Sequence, residues 1–265
     1  MQDCVTLPQW LDDLIFKQLG AKYCRSNADM TVIDWDRNDV LNYLGTYFPR
    51  SYAESYCIFS YYFNNHPEQF SNKTELSLFD FGSGTGGEIV GLLTALSESC
   101  PNVKKVRVVA LDGNQHALQL YDTVLLELKK HIGLKIESHS AQLRIDDFYD
   151  LNVLNKVVKR EFDLIISFKA ICEFVTKQQF EQNNAYEHIA KFLLPKLTDD
   201  GIMLLVDVTT YNDTSKDWLP KMLDRGLTAT NCQIVDRNEG YNQSYSISHS
   251  RIVSDVSRVA WRMIR

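Results

Sequence analysis

The sequence has no excess of basic residues and no long apolar run. Its 265 residues include 28 Lys and Arg against 34 Asp and Glu, a formal net charge of -6. No overall positive field therefore attracts nucleic acid or an anionic membrane. No stretch approaches the roughly 18 uninterrupted apolar residues that a membrane-spanning helix needs, and the first residues lack the basic leader of a signal peptide. We expect a soluble, cytoplasmic protein.

Cysteine pairs with metal-ligand spacing are also missing. The six cysteines are scattered, with no CxxC motif and no histidine at ligand spacing, which argues against a disulfide framework and a structural zinc site. Glycine and proline are few, at 12 and 6 residues, and 45% of the chain is hydrophobic. Disordered and fibrous classes are therefore poor fits. We expect reduced thiols, no metal and a folded unit of enzyme size.

Two regions of different composition follow one another. Residues 1–74 are rich in aromatic side chains and helical in pattern, with a helix over 36–63 that Pro49 should start or kink. The polar segment 64–75 predicts a loop. We therefore predict an N-terminal helical cap or substrate lid over 1–74 and a separate core over 75–265.

In the core region, strand-like apolar runs alternate with helical runs. This alternation is typical of βαβ units and of a parallel sheet with helices on both faces. A helix over 177–197 and a turn at "TDDG" lead into the fifth strand, residues 238–250 form a polar connection, and the last strand alternates as if only one face were buried. The predicted strands cover residues 76–81, 106–112, 135–145, 162–168, 202–208, 230–236 and 254–265.

The first predicted strand runs into a glycine-rich segment, "LSLFDFGSGTGGEIVGLL". Glycine allows a ligand to approach the backbone, and the helix that follows offers unpaired N–H groups and a partial positive charge. The spacing also matches the G-x-G-x-x-G pattern of dinucleotide sites. Asp80, two residues before the first glycine, favours another ligand because its carboxylate would repel a pyrophosphate and attract an ammonium.

The ordered motifs resemble those of class I S-adenosylmethionine-dependent methyltransferases over residues 76–265. "LFDFGSGTGGE" is similar to the first motif, "VVALDGN" to the acidic end of the second strand, and "RIDDFYD" to the adenine-contacting segment. "FDLIISFKAICEF" and "LLPKLTDDGIMLLVDV" resemble the fourth strand and the passage into the fifth. The resemblance implies an α/β fold with a Rossmann-like seven-stranded sheet, helices on both faces and an N-terminal helical cap.

The resemblance also implies a cofactor site. Asp80 and the loop N–H groups would hold the amino-acid end of S-adenosylmethionine, and Asp112 would accept the ribose hydroxyls, although Asp112 is equally suited to cap a helix. Either Asp146 or Asp147 would accept the adenine amino group, with Phe148 packed on the ring. The implied cofactor-binding residues are Asp80, Gly82, Ser83, Gly84, Thr85, Gly86, Asp112, Gly113, Asn114, Asp146, Asp147, Phe148, Ser167 and Phe168.

Methyl transfer is an in-line displacement that depends mainly on positioning. The segment after the fourth strand lacks both the Asn/Asp-Pro-Pro-aromatic motif of enzymes that methylate exocyclic amines and the Pro-Cys of carbon-5 pyrimidine enzymes. Glu173 is a candidate to orient or deprotonate the acceptor, and Lys169 is a candidate to contact an anionic one. Tyr47 is the third candidate catalytic residue. A surface lysine and a solvated glutamate are the alternatives for the first two.

The stretch "YLGTYFPRSYAESY" groups four tyrosines with Arg50 and Glu54. It faintly resembles a helix of methyltransferase-like proteins associated with assembly of the small ribosomal subunit. Those proteins carry cysteine clusters that this chain lacks, so ribosome binding is not inferred. Tyr43 and Arg50 are candidate substrate-binding residues, with Arg50 suited to a carboxylate or phosphate; an amphipathic helix with packed tyrosines is the alternative.

The methyl acceptor stays open. The acidic net charge favours a small molecule or a protein, whereas stacking on the tyrosines keeps RNA as an alternative. Four arginines lie in the last fifteen residues and are predicted to form the solvated face of the terminal strand. Two other functions compete: an NAD(P)-dependent oxidoreductase, disfavoured because no Tyr-x-x-x-Lys follows the fourth strand, and a non-catalytic subunit that binds S-adenosylmethionine within a larger assembly.

Overall fold

The structure is a computed structural model, and it describes residues 4–24, 34–145, 147–174, 184–212 and 217–265. A π-helical turn (Leu14–Gln18) follows the first helix, and 3₁₀ turns cover Leu151–Lys156 and Leu194–Lys196. The helices are α1 (Gln9–Asp13), α2 (Arg37–Asn65), α3 (Gly87–Ser99), α4 (Gln115–Leu128), α5 (Ile171–Phe174), α6 (Ala185–Leu193) and α7 (Leu219–Ala229). The strands are β1 (Cys4–Thr6), β2 (Glu75–Phe81), β3 (Lys105–Asp112), β4 (Lys135–Gln142), β5 (Phe162–Phe168), β6 (Leu197–Val208), β7 (Tyr211–Asn212), β8 (Asp217–Trp218), β9 (Ile234–Arg237), β10 (Gln243–His249) and β11 (Ile252–Ile264).

Nine of these strands form one mixed sheet in the order β1-β10-β11-β6-β5-β2-β3-β4, with β9 paired to β11. The strands β4, β3, β2, β5 and β6 are parallel, and β11 is antiparallel to β6. Helices cover both faces. The predicted α/β, Rossmann-like sheet with helices on both faces is therefore confirmed, with β1 and β10 in addition to the seven predicted strands.

The prediction of a polar connection over 238–250 is wrong, because this segment contains β10. Tyr245 and Ile247 are each 1% exposed and point into the core, while the serines between them point away. The abundance of serine, asparagine and glycine around them concealed a strand of period two. β10 pairs with β11 from Gln243 opposite Val259 onward.

The turn predicted at "TDDG" lies inside β6. The register of β6 against β5 shifts between Phe162, opposite Leu197, and Leu164, opposite Ile202. Residues 198–201 are therefore accommodated as an irregularity of the strand, as a β-bulge accommodates extra residues. A Cβ on Gly201 would lie 2.8 Å from the carbonyl oxygen of Phe162, so the close approach of the two strands requires glycine there.

One group of strands projects beyond the carboxyl edge of the parallel sheet. Val259 of β11 pairs with Val208 at the end of β6, so residues 252–258 extend past that edge. β10 pairs with this extension, and β1 pairs with β10 in parallel. We call β1, β10 and residues 252–258 the wing. The wing places residues from both ends of the chain beside the edge where ligands of open α/β sheets bind.

α2 is a single helix that crosses α3 closely. The Asp36 carboxylate caps it by accepting from the N–H groups of Asn38 and Asp39 at 2.7 and 3.0 Å, and Pro49 lies inside the helix and not at its start. A Cβ on Gly91 of α3 would lie 2.4 Å from the carbonyl oxygen of Tyr52. Glycine in α3 therefore permits contact between the two helix backbones.

Two apolar cores lie on the two faces of the sheet. The first joins side chains of α2, α3 and α4, and the second joins side chains of the 151–156 turn, α6 and α7. The last strand is buried on both faces from Val259 onward, so the predicted single buried face is wrong there. Arg262 is 3% exposed and not part of a solvated face, whereas Arg258 and Arg265 are exposed.

None of the helices within the described ranges is both long and apolar enough to cross a membrane. In the same part of the chain, no three His, Cys, Asp or Glu side chains are arranged to hold a metal ion.

Candidate functional site

The glycine loop connects β2 to α3 in a left-handed conformation. Gly82, Gly84 and Gly86 have φ angles of 72°, 46° and 86°, a region that side chains other than glycine disfavour. The N–H groups of Gly82 and Ser83 donate to the carbonyl oxygen of Leu111 at 2.9 and 3.0 Å, which ties the loop to the end of β3. Ser83 and Thr85 are buried. The predicted loop residues therefore lie together at the carboxyl edge of the central strand.

Packing accounts for two of the glycines without a ligand. A Cβ on Gly86 would lie 2.6 Å from the ring of Tyr121, and one on Gly87 would lie 2.4 Å from the carbonyl oxygen of Phe48. Gly87 is the residue that completes the dinucleotide pattern, and it serves the crossing of α2 over α3. The match to G-x-G-x-x-G therefore gives no support to a pyrophosphate site.

Asp80, near the end of β2, lies next to this loop. Its side chain is fully buried, and neither carboxylate oxygen has a hydrogen-bond partner among the described residues. Burial, together with the nearby carboxylates of Glu88 and Asp112, raises the pKa of Asp80 well above its usual value. A buried carboxylate without partners is costly. Its position indicates that a cationic or hydrogen-bond-donating group belongs beside it.

Asp112 ends β3 and holds the glycine loop from the other side. Its carboxylate oxygens accept from the N–H groups of Gly84 and Asn114, each at 2.8 Å. Burial raises the pKa of Asp112, against the effect of hydrogen bonds from Asn114, Gly84 and Gly113. The N-cap of α4 is Asn114, whose Oδ1 accepts from Ala117 at 3.0 Å. The alternative of Asp112 as the helix cap is therefore wrong.

Three more charged side chains belong to the site, those of Lys169, Glu54 and Glu88. Lys169 Nζ donates to Glu54 Oε2 at 2.7 Å, and Lys169 is only 9% exposed, so it is not a surface lysine. Glu88, in the first turn of α3, is 5% exposed. Burial raises the pKa of Glu88 to about 8, while Lys169 lowers it and the carboxylates of Asp112 and Glu54 raise it further. The site thus combines residues of α2, α3, β2, β3 and the segment after β5.

Buried hydroxyl groups surround these charges. The hydroxyls of Ser83, Tyr121 and Ser167 have no hydrogen-bond partner within the described part of the chain, and the same holds for Glu54 Oε1. Burial raises the pKa of Tyr121 well above its usual value, and the charges of Asp80 and Glu88 add to the effect. Unsatisfied buried polar atoms are few in native proteins. Other such atoms lie elsewhere in the described part, but those named here share the site with both Asp80 oxygens, which favours a polar ligand with hydrogen-bond donors there.

One residue of the segment after β5, Lys169, has an uncommon backbone conformation. Lys169 has a φ angle of 56°, which is uncommon for a residue with a side chain and clusters at functional sites. Its N–H donates to the carbonyl oxygen of Val206 at 2.7 Å, so the segment lies where β5 and β6 both end. Ser167 and Phe168 are buried in β5. Glu173 belongs to α5, and its side chain lies outside the described part.

The predicted adenine segment is only partly described. Asp146 lies outside the described residues, so the choice between Asp146 and Asp147 stays open. Asp147 is exposed and accepts from the N–H of Tyr149 at 2.9 Å. Phe148 is 1% exposed and packs in the second core, 6.0 Å from the ring of His188. Core packing therefore accounts for Phe148 without an adenine ring.

The aromatic end of α2 lies over the glycine loop. The rings of Tyr43 and Tyr47 stack with centroids 5.0 Å apart, and Trp35 meets Tyr43 edge-on at 5.8 Å. A Cβ on Gly84 would lie 3.6 Å from the Tyr43 ring. Asn114 Nδ2 donates to the carbonyl oxygen of Trp35 at 3.0 Å. Tyr43 and Tyr47, the candidate substrate-binding and catalytic tyrosines, therefore lie beside the predicted cofactor-binding residues.

Arg50 contacts a carboxylate of the protein itself. Its Nε and Nη2 atoms donate to the two oxygens of Asp255 at 2.8 and 2.9 Å, and Asp255 is fully buried in the wing. The guanidinium also lies 5.3 Å from the centre of the Tyr47 ring. These donors hold α2 to the wing, which accounts for Arg50 without a substrate.

Glu88, Tyr121 and Trp35 belong to this site and were not identified as candidates from the sequence. Glu88 has a visible signal, since it is the one charged residue in the apolar stretch "GEIVGLLTAL". Tyr121 has none, because a tyrosine at core spacing in a helix is indistinguishable from an ordinary packed ring. Glu54 was noticed only as a neighbour of the tyrosines, and its pairing with Lys169 depends on two distant segments.

Comparison with known proteins places the fold. No protein-family model matches the chain, and no curated protein matches it in sequence. The structure is similar to SCL7 from Oryza sativa, with a TM-score of 0.52 and 13% identity, covering 80% of each chain. Magnesium protoporphyrin IX methyltransferase from Synechocystis PCC 6803, with bound SAM, gives a TM-score of 0.47 and 12% identity over 88% of this chain and 86% of that one. Precorrin-6y C5,15-methyltransferase from Geobacter metallireducens GS-15 gives 0.47 and 12% over 80% and 87%. At such identity the similarity describes the fold alone.

Proposed function

We propose that this protein is an S-adenosylmethionine-dependent methyltransferase. The observation that carries the proposal is the Asp80 carboxylate, which is fully buried beside a left-handed glycine loop and has no hydrogen-bond partner among the described residues. It lies near the end of β2, in the middle of the mixed sheet. A ligand with an ammonium group would satisfy both oxygens of Asp80.

Different residues of the site would bind different parts of the cofactor. Asp80 would accept from the ammonium, and the N–H groups at the start of α3 would donate to the carboxylate. Asp112 would accept from the ribose, with Gly113 and Asn114 beside it, and Asp146 or Asp147 would accept from the adenine. When bound, the cofactor supplies an electrophilic methyl group on a sulfonium. The protein then has to orient the acceptor and exclude water.

The charge of the site argues against the NAD(P)-dependent alternative. Four buried carboxylates surround the loop, those of Glu54, Asp80, Glu88 and Asp112, and Lys169 is the one cation among the described residues of this group. A pyrophosphate at the start of α3 would add negative charges to an acidic, poorly solvated site. A zwitterionic amino acid joined to a sulfonium adds net positive charge.

We place the acceptor between the aromatic end of α2, the segment after β5 and the wing. Tyr43 and Tyr47 would contact it from one side and Lys169 from the other; Glu173, whose side chain lies outside the described part, stays a candidate from the sequence. In this proposal the first turns of α2 act as the cap, and the wing extends it. A small molecule or a protein side chain fits the acidic chain best, with RNA as the alternative.

Calorimetric titration with S-adenosylmethionine and S-adenosylhomocysteine tests the proposal. We expect both to bind, reduced nicotinamide cofactor not to bind, and Asp80→Asn to weaken binding at least about tenfold, because a charge-assisted hydrogen bond is lost. Asp199→Asn, which changes an exposed carboxylate at the other end of the sheet, is the matched control. Absence of binding to the wild-type protein, or unchanged affinity in Asp80→Asn, would contradict it.

An assay of methyl transfer distinguishes a methyltransferase from a protein that only binds the cofactor. If the cofactor binds but no methyl group is transferred from radiolabelled S-adenosylmethionine to small-molecule, protein or RNA fractions, the protein uses the site for binding only. The absence of a familiar acceptor motif after β5 is the feature that favours this second function.

A further inference from the structure

A groove lies at the end of the sheet that is farthest from the wing. β4 is the last strand there, and its Ile136 packs into the first core. The alternate residues Glu137 and His139 therefore point to the face of the second core, where both are exposed. α7 covers this face at β6, nearer the wing. The groove is thus bordered by β3, β4 and the segment 156–160 that precedes β5.

The charged side chains that line this groove are mostly basic. The groove has a volume of about 430 Å³, and two valines form apolar parts of its wall. Glu137 is the one carboxylate among the described residues that line it, against four basic side chains. These are Arg107 of β3 and Lys156, Lys159 and Arg160 before β5. The local charge is therefore opposite in sign to the net charge of -6 of the chain.

Glu137 is already shared by three cations. Its carboxylate lies 2.8 Å from Lys105 Nζ, 3.1 Å from Lys135 Nζ and 3.4 Å from Arg107 Nε. Arg107 also pairs with Glu75. The carboxylate of the groove is thus committed to cations of β3 and β4, and it leaves those of the segment 156–160 uncompensated.

The three basic residues before β5 have no such partner. Lys156, Lys159 and Arg160 are exposed, and none of them forms an ion pair with the described part of the chain. Glu161 follows them in sequence and is exposed, but it does not line the groove. Several like charges held along one groove attract a ligand with repeated negative charges, even on a protein of negative net charge. The groove is therefore suited to a polyanion.

An acidic peptide and a nucleic acid are the two polyanions to compare. An extended peptide gains much of its affinity by pairing with a free strand edge, and β4 has one. Lys135 and Glu137 oppose such pairing, because charged side chains on an edge strand discourage the addition of another strand. A nucleic acid needs only cations spaced along a surface. The groove therefore favours a nucleic acid.

Two polar side chains among the cations distinguish RNA from DNA. Glu137 and Ser138 both line the groove. The Glu137 carboxylate repels a phosphate but accepts a hydrogen bond from a ribose 2′-hydroxyl, which RNA carries and DNA lacks. The Ser138 hydroxyl can donate to the same group or accept from it. These side chains therefore favour RNA.

We propose that this groove binds the phosphate backbone of RNA, with the three basic residues before β5 contacting phosphates and Glu137 accepting from a 2′-hydroxyl. The groove is separate from the candidate site, because Arg107 and Asp112 are five residues apart on β3, which is about 17 Å. The inference therefore concerns a second binding site, and it holds whether or not RNA is the methyl acceptor.

Fluorescence anisotropy with a labelled single-stranded RNA of mixed sequence, about 20 nucleotides long, measures this binding. We expect the wild-type protein to bind at about 50 mM salt. The logarithm of its association constant should fall with the logarithm of the salt concentration with a slope of about −2, since three phosphates are neutralised.

Charge reversal in the groove is the critical variant. Lys159→Glu with Arg160→Glu should weaken RNA binding at least about tenfold and reduce the slope to about −0.7, because one phosphate contact is left. Lys221→Glu with Arg225→Glu is the matched control, since it reverses one exposed lysine and one exposed arginine of α7. This control has the same net charge as the groove variant and should bind RNA like the wild type.

Each other result overturns the proposal or one part of it. Absence of wild-type binding at about 50 mM salt would contradict the site itself. Equal weakening in the control would show that only the net charge matters. DNA of the same sequence bound as tightly would overturn the assignment to RNA, and a poly-glutamate peptide bound more tightly than the RNA would assign the groove to an acidic protein. No arm contains a cofactor, so the outcome is independent of the proposed function.

Discussion

Two buried charged regions of this protein differ in how completely their groups are paired. Where α2 meets the wing, Arg50 donates two hydrogen bonds to the fully buried Asp255. Further along β11, Arg262 donates to both oxygens of Asp224 at 2.6 and 2.9 Å and to Asn238 at 2.7 Å. In the buried group formed by Glu54, Asp80, Glu88, Asp112 and Lys169, which we call the acidic cluster, Asp80 by contrast has no hydrogen-bond partner among the described residues.

The difference separates charges that hold the fold together from charges that await a ligand. A bidentate arginine–carboxylate pair is among the stronger buried interactions, and removing one partner leaves an uncompensated charge. An unpartnered buried carboxylate gives the empty protein no such gain. In the proposed function, a cation of the ligand reaches this carboxylate in the bound state.

The first prediction removes a paired charge. Arg50→Met should destabilise the protein by about 3 to 5 kcal/mol, because Asp255 would be left buried and ionisable without its guanidinium. Urea denaturation at neutral pH measures the change. Arg107→Met, which affects an exposed ion pair with Glu75 and Glu137, should cost less than about 1 kcal/mol.

The double variant Arg50→Met with Asp255→Asn should recover part of this loss, since the carboxylate that loses the Arg50 guanidinium is then replaced by a neutral amide. If Arg50→Met has no more effect than Arg107→Met, the wing is not held by this pair. Arg50 would then be free for the substrate role first expected from the sequence.

The sequence was sufficient for the parallel part of the sheet and for the glycine loop. Strands such as 162–168 are continuous apolar runs, and buried parallel strands have this pattern. Asp80 and Asp112 are candidates because the resemblance implies cofactor contacts for both, and each also directly follows an apolar run at the end of a predicted strand. The carboxyl ends of neighbouring parallel strands lie at one edge, so both were expected there.

The wing and the acidic cluster could not be predicted in the same way. β10 alternates only two apolar residues, Tyr245 and Ile247, with serines, which is a weak strand signal. The pairing of Glu54 with Lys169 joins positions 115 residues apart, and no local pattern encodes it. Arg50 was expected to meet a carboxylate or phosphate of a substrate, whereas its partner in the structure is the Asp255 carboxylate of the chain itself.

The second prediction neutralises an unpaired charge. Glu88 has a usual pKa of 4.5 that the fold raises to about 8. The stability from its neutral form is complete below 4.5 and is lost as the pH rises towards 8. Glu88→Gln should therefore gain roughly 1 to 3 kcal/mol relative to the ligand-free wild type between about pH 5.5 and 8.

Urea denaturation of both proteins at the two pH values gives this difference directly, and comparing the two cancels the contributions of all other titrating groups. A constant difference between the two pH values would show that Glu88 is ionised in the folded, empty protein. The negative charge of Glu88 would then be compensated within the empty protein, as the charges of the arginine–carboxylate pairs are.

The third prediction concerns Asp112, which lies between the two cases because it is in the acidic cluster but bonded to backbone N–H groups. Asp112→Ala should weaken binding of S-adenosylhomocysteine about tenfold or more, an effect near 1.4 kcal/mol.

Titration with adenosine separates two causes of this loss, since adenosine has the ribose but no amino acid. If affinity for adenosine falls too, Asp112 binds the ribose; if only the full ligand is affected, Asp112 acts by holding Gly84 in the loop. Unchanged affinity for both ligands would assign Asp112 to the paired, structural group.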